Sequence, residues 1–195
     1  MADHSSGIDQ TALAQNTIFD HLVEGRECGT CVACCKILEI NKPELKKPAG
    51  VLCQHCTGIG CGIYAARPAI CRTWYCLWRR IGAMPDFLRP DKTGVVFSFD
   101  QHIPPRTPFE RIYIVGRAIA DPAAFDAPQI VAAIEMFIEN GALPVWLSFQ
   151  GGKRMIYPQF DFADAILNPT TTPWQSLTPR ALVWRKMYGL DKDTS

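Results

Sequence analysis

The chain has 195 residues, of which 48% are hydrophobic and nine are cysteine, and its formal net charge is +1. This length allows a buried core, which excludes a small secreted scaffold that depends on crosslinks for its stability. No run of roughly eighteen apolar residues predicts a membrane span, and the polar first residues lack the features of a secretory signal. We therefore expect a cytoplasmic protein, with one main domain and an appendage, that has no membrane partner.

The first 90 residues are predicted to form two units. Residues 1–25 are an N-terminal unit, in which residues 9–24 can fold as an amphipathic packing helix. Residues 26–90 are a cysteine-rich domain, and its first part, residues 26–62, shows little hydrophobic periodicity. Apolar burial alone cannot order such a segment, so metal ligation is expected to supply the missing constraint.

A helix is predicted in the second part of the cysteine-rich domain. Pro68 is suited to the first position of a helix because its fixed φ angle matches the helical conformation. The helix is expected to run to about Arg80 and to carry Cys71 and Cys76.

A second structural unit is predicted over residues 91–195, where cysteines are absent and strand-like runs appear at 94–99 and 111–119. Asp126 is predicted as the N-cap of a helix that ends at Gly141. That helix also has a first-turn proline and a capping-box glutamine, and its apolar face is formed by Ile130, Val131, Ile134, Phe137 and Ile138.

The remaining elements complete a small sheet. Strands are predicted at 144–149 and 153–160, joined by a tight turn at Gly151-Gly152 after Gln150. A short terminal helix should begin at Thr178-Pro179 and pass through Trp184 to about Tyr188, before the stop signal Gly189. The predicted fold class is therefore α+β: an irregular cysteine-rich region with short helices, followed by a ββαββ unit and a C-terminal helix.

The nine cysteines are the strongest functional signal. In the reducing cytoplasm a dense set of thiols indicates metal ligands or redox groups rather than disulfides, and the odd count agrees with this. They form three groups: Cys28-x2-Cys31-x2-Cys34-Cys35, Cys53-x2-Cys56-x4-Cys61 and Cys71-x4-Cys76. A two-residue spacing lets a tight turn aim two sulfurs at one centre, with backbone N–H groups directed toward them. The spacing thus predicts a metal without identifying it.

Two kinds of metal centre, a zinc ion and an iron–sulfur cluster, are compatible with these spacings. Cys28-x2-Cys31 and Cys53-x2-Cys56 are separated by 21 residues, close to the usual four-cysteine zinc pattern. In contrast, Cys28, Cys31 and Cys34 form the run of x2 spacings that wraps an iron–sulfur cubane, whose fourth ligand comes from elsewhere. We favour the iron–sulfur cluster over zinc, and another metal or a thiol redox role is the remaining alternative. Adjacent residues in an extended segment point to opposite sides, so only one of Cys34 and Cys35 need bind the metal.

The charge distribution fits a thiolate site. Residues 26–80 contain nine Lys or Arg and three Glu, which gives this segment a net charge of +6. A basic patch can indicate nucleic acid, but four thiolates around zinc or a cubane also leave a net charge of about −2 that basic neighbours offset. Because the basic excess coincides with the cysteines, we expect no nucleic-acid partner.

The ordered motifs CGTCVACC and GCGIYAARPAICRTWYC resemble the YkgJ-like CxxCxxCC family of cysteine-cluster proteins, described as zinc- or iron-chelating domains. The resemblance spans about residues 26–90. A related cysteine-rich region occurs in flagellin lysine methylases, where an iron–sulfur cluster is implied, but nothing else in the chain resembles those enzymes. The resemblance implies metal chelation by Cys28, Cys31, Cys34, Cys35, Cys53, Cys61, Cys71 and Cys76. The roles of Cys56 and His55 stay open.

Other residues near the cysteines have more ordinary interpretations. Arg67 and Arg72 either donate to the thiolates or form surface ion pairs, and His55 is favoured as a polar loop residue over a ligand. The aromatic residues Trp74, Tyr75 and Trp78 would wall the site, with core packing as their favoured role.

Three functions remain open. The leading hypothesis is a metal-binding module whose ββαββ unit offers a surface to a protein or small-molecule partner. The alternatives are an iron–sulfur-dependent modifying enzyme and a structural zinc adaptor. No catalytic residues are predicted, because no nucleotide-binding glycine motif or paired carboxylates stand out.

Overall fold

The computed structural model describes residues 21–168 and 179–190. The cysteine-rich part contains α1 (Ala33–Ile37), the hairpin β1 (Ile40–Lys42) and β2 (Leu45–Lys47), α2 (Ala69–Thr73), α3 (Leu77–Arg80) and α4 (Pro90–Thr93). It is followed by β3 (Val95–Asp100), β4 (Tyr113–Ala118), α5 (Pro128–Asn140), β5 (Val145–Phe149), β6 (Gly152–Tyr157), α6 (Phe160–Leu167) and α7 (Pro179–Tyr188). The predicted α+β class is confirmed. Residues 9–20 of the helix predicted over 9–24 lie outside the described residues, and residues 21–24 are not helical.

The four longer strands form one sheet in the order β3-β4-β5-β6. The outer pairs are antiparallel, whereas β4 and β5 are parallel. Parallel neighbours need a crossover connection, and α5 lies in this connection. The predicted ββαββ order is therefore confirmed. Within the described ranges, no helix is both long and apolar enough to span a bilayer.

The two faces of the sheet have different environments, because successive side chains of a strand point to opposite faces. Val95 and Phe97 join the main core with Ile130 and Phe137 of α5 and with Trp184 of α7. The intervening positions of the strands face the other way and include both apolar and charged side chains. The cysteine-rich region meets this second face, where Val96 packs with Ala33, Ile37, Cys31, Trp74 and Cys76.

Helix α5 follows the sequence prediction closely, with two differences. It ends at Asn140, and Gly141 adopts the predicted left-handed conformation, with φ 62°. Its N-cap is Ala127 rather than Asp126, because Asp126 ends a preceding 3-10 turn. Val131 is 39% exposed and does not belong to the buried stripe, which consists of Ile130, Ala133 and Phe137. A single row of residues spaced three or four apart is enough to cover the sheet.

The hairpin between β5 and β6 is confirmed, but its turn is shifted by one residue. Phe149 pairs with Gly152, so Gln150 and Gly151 form the two-residue turn. Their φ angles are 49° and 88°, the positive values that a type I′ turn requires. The terminal helix ends at Tyr188 before Gly189, as predicted, while Thr178 lies outside the described residues.

The single helix predicted from Pro68 to Arg80 is wrong: α2 and α3 are separated by extended backbone at Trp74 and Cys76. Arg80 donates hydrogen bonds to the carbonyl oxygens of Thr73 and Tyr75 in this break, at 3.4 and 3.3 Å. The change of direction allows Leu77 to be completely buried in the main core. Tertiary packing thus overrides the local helical preference.

Candidate metal centre

Seven cysteines line one cavity of about 160 Å³ beside α1, the β1–β2 hairpin and α2. They are Cys28, Cys31, Cys34, Cys35, Cys53, Cys61 and Cys71, seven of the eight predicted ligands. Cys76, the eighth, and Cys56 do not belong to this lining. All nine cysteines lie among the described residues, and all are free thiols. The cavity therefore brings cysteines from all three sequence groups together.

The thiols are close to one another but are not arranged around a centre. Throughout residues 21–168 and 179–190, no group of three or more His, Cys, Asp or Glu side chains is arranged to hold a metal ion. The chemistry of the lining nevertheless fits a soft metal, because thiolate is the ligand that zinc and iron–sulfur clusters prefer. Binding in this cavity would require the cysteine side chains to turn toward a common point.

The two Cys-x2-Cys pairs have the same backbone turn. The N–H of Cys31 donates to the carbonyl oxygen of Cys28 and the N–H of Cys56 to that of Cys53, both at 2.9 Å. The N–H two residues after a cysteine also donates to its sulfur, from Ala33 to Cys31 and from Gly58 to Cys56. This is the arrangement expected from the x2 spacing. Burial raises the pKa of both Cys31 and Cys56, and these hydrogen bonds partly offset that rise by stabilising the thiolate.

The prediction for Cys34 and Cys35 was based on an extended segment, whereas both residues lie on α1. Residues adjacent on a helix are about 100° apart rather than on opposite sides, so both side chains reach the cavity. The Cys34 thiol donates a hydrogen bond to Cys35. This bond, together with burial, raises the pKa of Cys34, and the same bond lowers the pKa of Cys35. Neither residue is excluded as a ligand by direction.

Cys71 and Cys76 have different surroundings because α2 and α3 are separate helices. Burial, then the charges of Cys53, Cys35 and Cys61, raises the pKa of Cys71, which faces the cavity. Burial also raises the pKa of Cys76 to about 11, and the charges of Cys28 and Cys31 contribute to this rise. Cys76 therefore lies beside the first cysteine group but outside the cavity.

Lys47 is a cavity residue that the sequence prediction did not single out. It is only 5% exposed, and its ammonium donates to the carbonyl oxygens of Lys36, Pro48 and Val51 at 3.0, 3.0 and 2.7 Å. Burial lowers the pKa of Lys47, while the charges of Cys53 and other thiols raise it. Lys47 therefore places a positive charge beside thiols that would be negative as metal ligands. The available sequence signal was the position of Lys47 two residues after Leu45, because alternate residues of a strand share a face, and both residues are buried in β2.

The other predicted neighbours divide into two groups. Arg67 lines the cavity and stacks on Tyr64 at 4.0 Å, whereas Arg72 is exposed, as expected of a surface residue. His55 lies at the cavity with its Nε2 atom 3.3 Å from the Gln54 side-chain amide. Trp74 also lines the cavity, and Trp78 is buried outside it.

Arg26 fixes the first cysteine group to the α3 region. Its guanidinium donates to the carbonyl oxygens of Trp78, Ile81, Gly82 and Met84 at 2.6, 2.8, 3.1 and 2.6 Å. It also stacks on the Trp78 ring at 5.1 Å. Since Cys28 lies two residues farther along the chain, this contact network helps to position it beside Cys76.

We expect Arg26→Met to lower the free energy of unfolding by about 3 kcal/mol, because charge-assisted hydrogen bonds are lost and carbonyl groups lose their partner. Urea unfolding followed by circular dichroism measures this change. Arg72→Met is the matched control, since Arg72 is exposed and forms no hydrogen bond or ion pair within the described part of the chain. Equal stability of the two variants would contradict the structural role of Arg26.

Comparison of the chain with protein-family models, curated proteins and solved structures finds no match in any of the three.

Proposed function

We propose that this protein is a cysteine-ligated metal-binding protein that carries an iron–sulfur cluster. The observation that supports this proposal is the cavity lined by seven free thiols drawn from all three cysteine groups. A cluster with four thiolate ligands has more candidates here than it needs. The proposal includes a reducing compartment, the cytoplasm, because free thiols in this number persist there.

The residues that would hold the cluster are those of the cavity. Cys28, Cys31 and Cys34 supply the x2 run, and Cys71 is a candidate for the fourth ligand from a separate helix. A bound cluster would supply electron transfer, and Lys47 and Arg67 would offset its negative charge. The resemblance of the two cysteine motifs to the YkgJ-like family agrees with this assignment and is part of the proposal.

A structural zinc module is the second candidate, and one observation favours it. The turns at Cys28-x2-Cys31 and Cys53-x2-Cys56 have matching hydrogen bonds, as two zinc knuckles do. Zinc bound by these four residues would close the site and leave five cysteines unused: Cys34, Cys35, Cys61, Cys71 and Cys76. Cys56 lies outside the cavity lining, which supports the cluster over this set.

Metal analysis of protein purified without air tests the proposal. We expect stoichiometric iron and acid-labile sulfide, with a brown colour and broad visible absorption, because thiolate-to-iron charge transfer absorbs visible light. A colourless protein with stoichiometric zinc would instead support the zinc module. Folded protein without either metal, and with nine freely reactive thiols, would contradict both candidates.

A further inference from the structure

A second and larger cavity, of about 430 Å³, lies where the cysteine-rich region meets the second face of the sheet. We call it the sheet cleft. The cysteine-rich side contributes Lys36, Ala49 and Gly50, and the sheet contributes Asp100, Arg117 and Lys153. Its volume is within the range of small-molecule sites. Leu38 and Trp74 line both the sheet cleft and the thiol cavity, so the two cavities share a wall.

Charged side chains from β3, β4 and β6 form the floor of the sheet cleft. Arg117 donates to the Asp100 carboxylate at 2.5 Å and to the Ser98 hydroxyl at 2.6 Å. Lys153 donates to the same carboxylate at 2.7 Å and to the Tyr113 hydroxyl at 2.9 Å. The Arg117 side chain is only 13% exposed, so its charge has lost most of its contact with water. Such a buried charge is costly unless its hydrogen-bond donors have partners.

Both carboxylate oxygens of Asp100, on the floor of the sheet cleft, accept hydrogen bonds. The Asp100 Oδ2 atom accepts from Arg117 and Lys153, and Oδ1 accepts from the backbone N–H of Gln101 at 2.9 Å. These partners hold the pKa of Asp100 below its usual value despite burial, so the carboxylate stays ionised at neutral pH. Its single negative charge faces two positive charges.

Hydrogen-bond donors, in contrast, remain available in the sheet cleft. The Lys36 ammonium and the hydroxyl of the buried residue Ser148 both line it, and neither has a hydrogen-bond partner within the described ranges. Lys153 uses two of its three N–H groups. The second acid of the lining, Glu39, is an exposed residue. The sheet cleft therefore has a surplus of donors and of positive charge.

We propose that the sheet cleft binds a small molecule through a carboxylate or phosphate group. Such an anion accepts hydrogen bonds from Lys36, Lys153 and Ser148 and balances the excess charge beside Asp100. Its remaining part lies against Trp74, on the wall shared with the thiol cavity. No cysteine lines the sheet cleft, so its ligand does not compete with a metal in the thiol cavity. Because Lys36 and Trp74 belong to the cysteine-rich segment, the binding test uses protein purified without air.

Isothermal titration calorimetry with two probes, inorganic phosphate and succinate, tests this proposal at constant ionic strength maintained with chloride. We expect saturable binding of at least one probe with one site per chain. Binding of phosphate alone assigns a phosphate ligand, and binding of succinate alone assigns a carboxylate. Absence of saturable binding for both probes would overturn the proposal.

Three variants locate the site. Lys36→Gln should weaken binding about tenfold, because a charge-assisted hydrogen bond is lost, and Ser148→Ala about threefold. Lys46→Gln is the matched control, since it removes the same charge from an exposed position outside the sheet cleft and should change the affinity less than about twofold. Equal weakening by Lys36→Gln and Lys46→Gln would indicate general charge attraction and would overturn the assignment. Unchanged thermal unfolding verifies that each variant is folded.

Discussion

Cys71→Ser is expected to reduce the metal content of the purified protein to below about a tenth of the wild-type value, because a neutral hydroxyl replaces a thiolate donor. Cys71 comes from α2, a separate element from the one that carries Cys34 and Cys35, and it reaches the same cavity. Losing it removes the only cavity cysteine that follows residue 61. Iron, sulfide and zinc analysis of the anaerobically purified variant measures the effect.

Cys56→Ser is the matched control, because it makes the same chemical change nearby but outside the cavity lining. We expect it to retain at least about half of the metal, since the loss is a hydrogen bond to Cys35 rather than a ligand. Full metal content in Cys71→Ser together with loss in Cys56→Ser would contradict the cavity assignment. That outcome would identify the zinc module with ligands Cys28, Cys31, Cys53 and Cys56.

Cys76 remains a predicted ligand that stands apart from the cavity. It packs with Cys31 against Ala33, Ile37 and Val96, on the side of the first cysteine group. To reach a metal it would have to turn toward Cys28 and Cys31, whose charges already influence its thiol. The x4 spacing from Cys71 predicts neither this separation nor the break between α2 and α3.

Local patterns predicted the elements whose stabilising contacts are close in sequence. Helix α5 was predicted to within one residue at its C-terminal end because its apolar stripe and Gly141 lie within one segment. The single helix predicted over residues 68–80 was wrong, because the break between α2 and α3 depends on contacts that are distant in the sequence. Leu77 enters the core of the second unit. The guanidinium of Arg26 binds carbonyl oxygens in and just after α3, which are more than fifty residues away from Arg26 in the sequence.

The thiol chemistry of the candidate site was predictable from the sequence, but the set of cysteines that line the cavity was not. The x2 spacings predicted matching turns, and these are present at Cys31 and Cys56. Which cysteines share a cavity depends on how α1, the β1–β2 hairpin and α2 pack together, and no periodicity carries that information. Lys47 and the sheet cleft were missed for the same reason. Their partners come from separate segments of the chain, as the hydrogen bond from Lys153 on β6 to Asp100 on β3 illustrates.

Removal of the proposed metal is expected to unfold the cysteine-rich segment while leaving the sheet and α5 intact. The buried apolar cluster on the cysteine side is small, consisting of Ala33 and Ile37 with Val96 from the sheet. The main core is much larger and joins β3, α5 and α7. A segment with so little apolar burial needs another source of stability, and metal ligation couples directly to folding.

Hydrogen exchange after treatment with a chelator measures this effect. We expect amide protection in residues 28–74 to fall at least about tenfold and protection in Ile130–Ile138 to stay unchanged. Leu77 is fully buried in the main core, so the loss should end before α3 rather than at Arg80. Cys71→Ser is the control: because it already lacks the metal, the chelator should cause no further change. Protection that survives chelation throughout residues 28–74 would mean that side-chain packing alone holds this segment, and that the metal has no structural role.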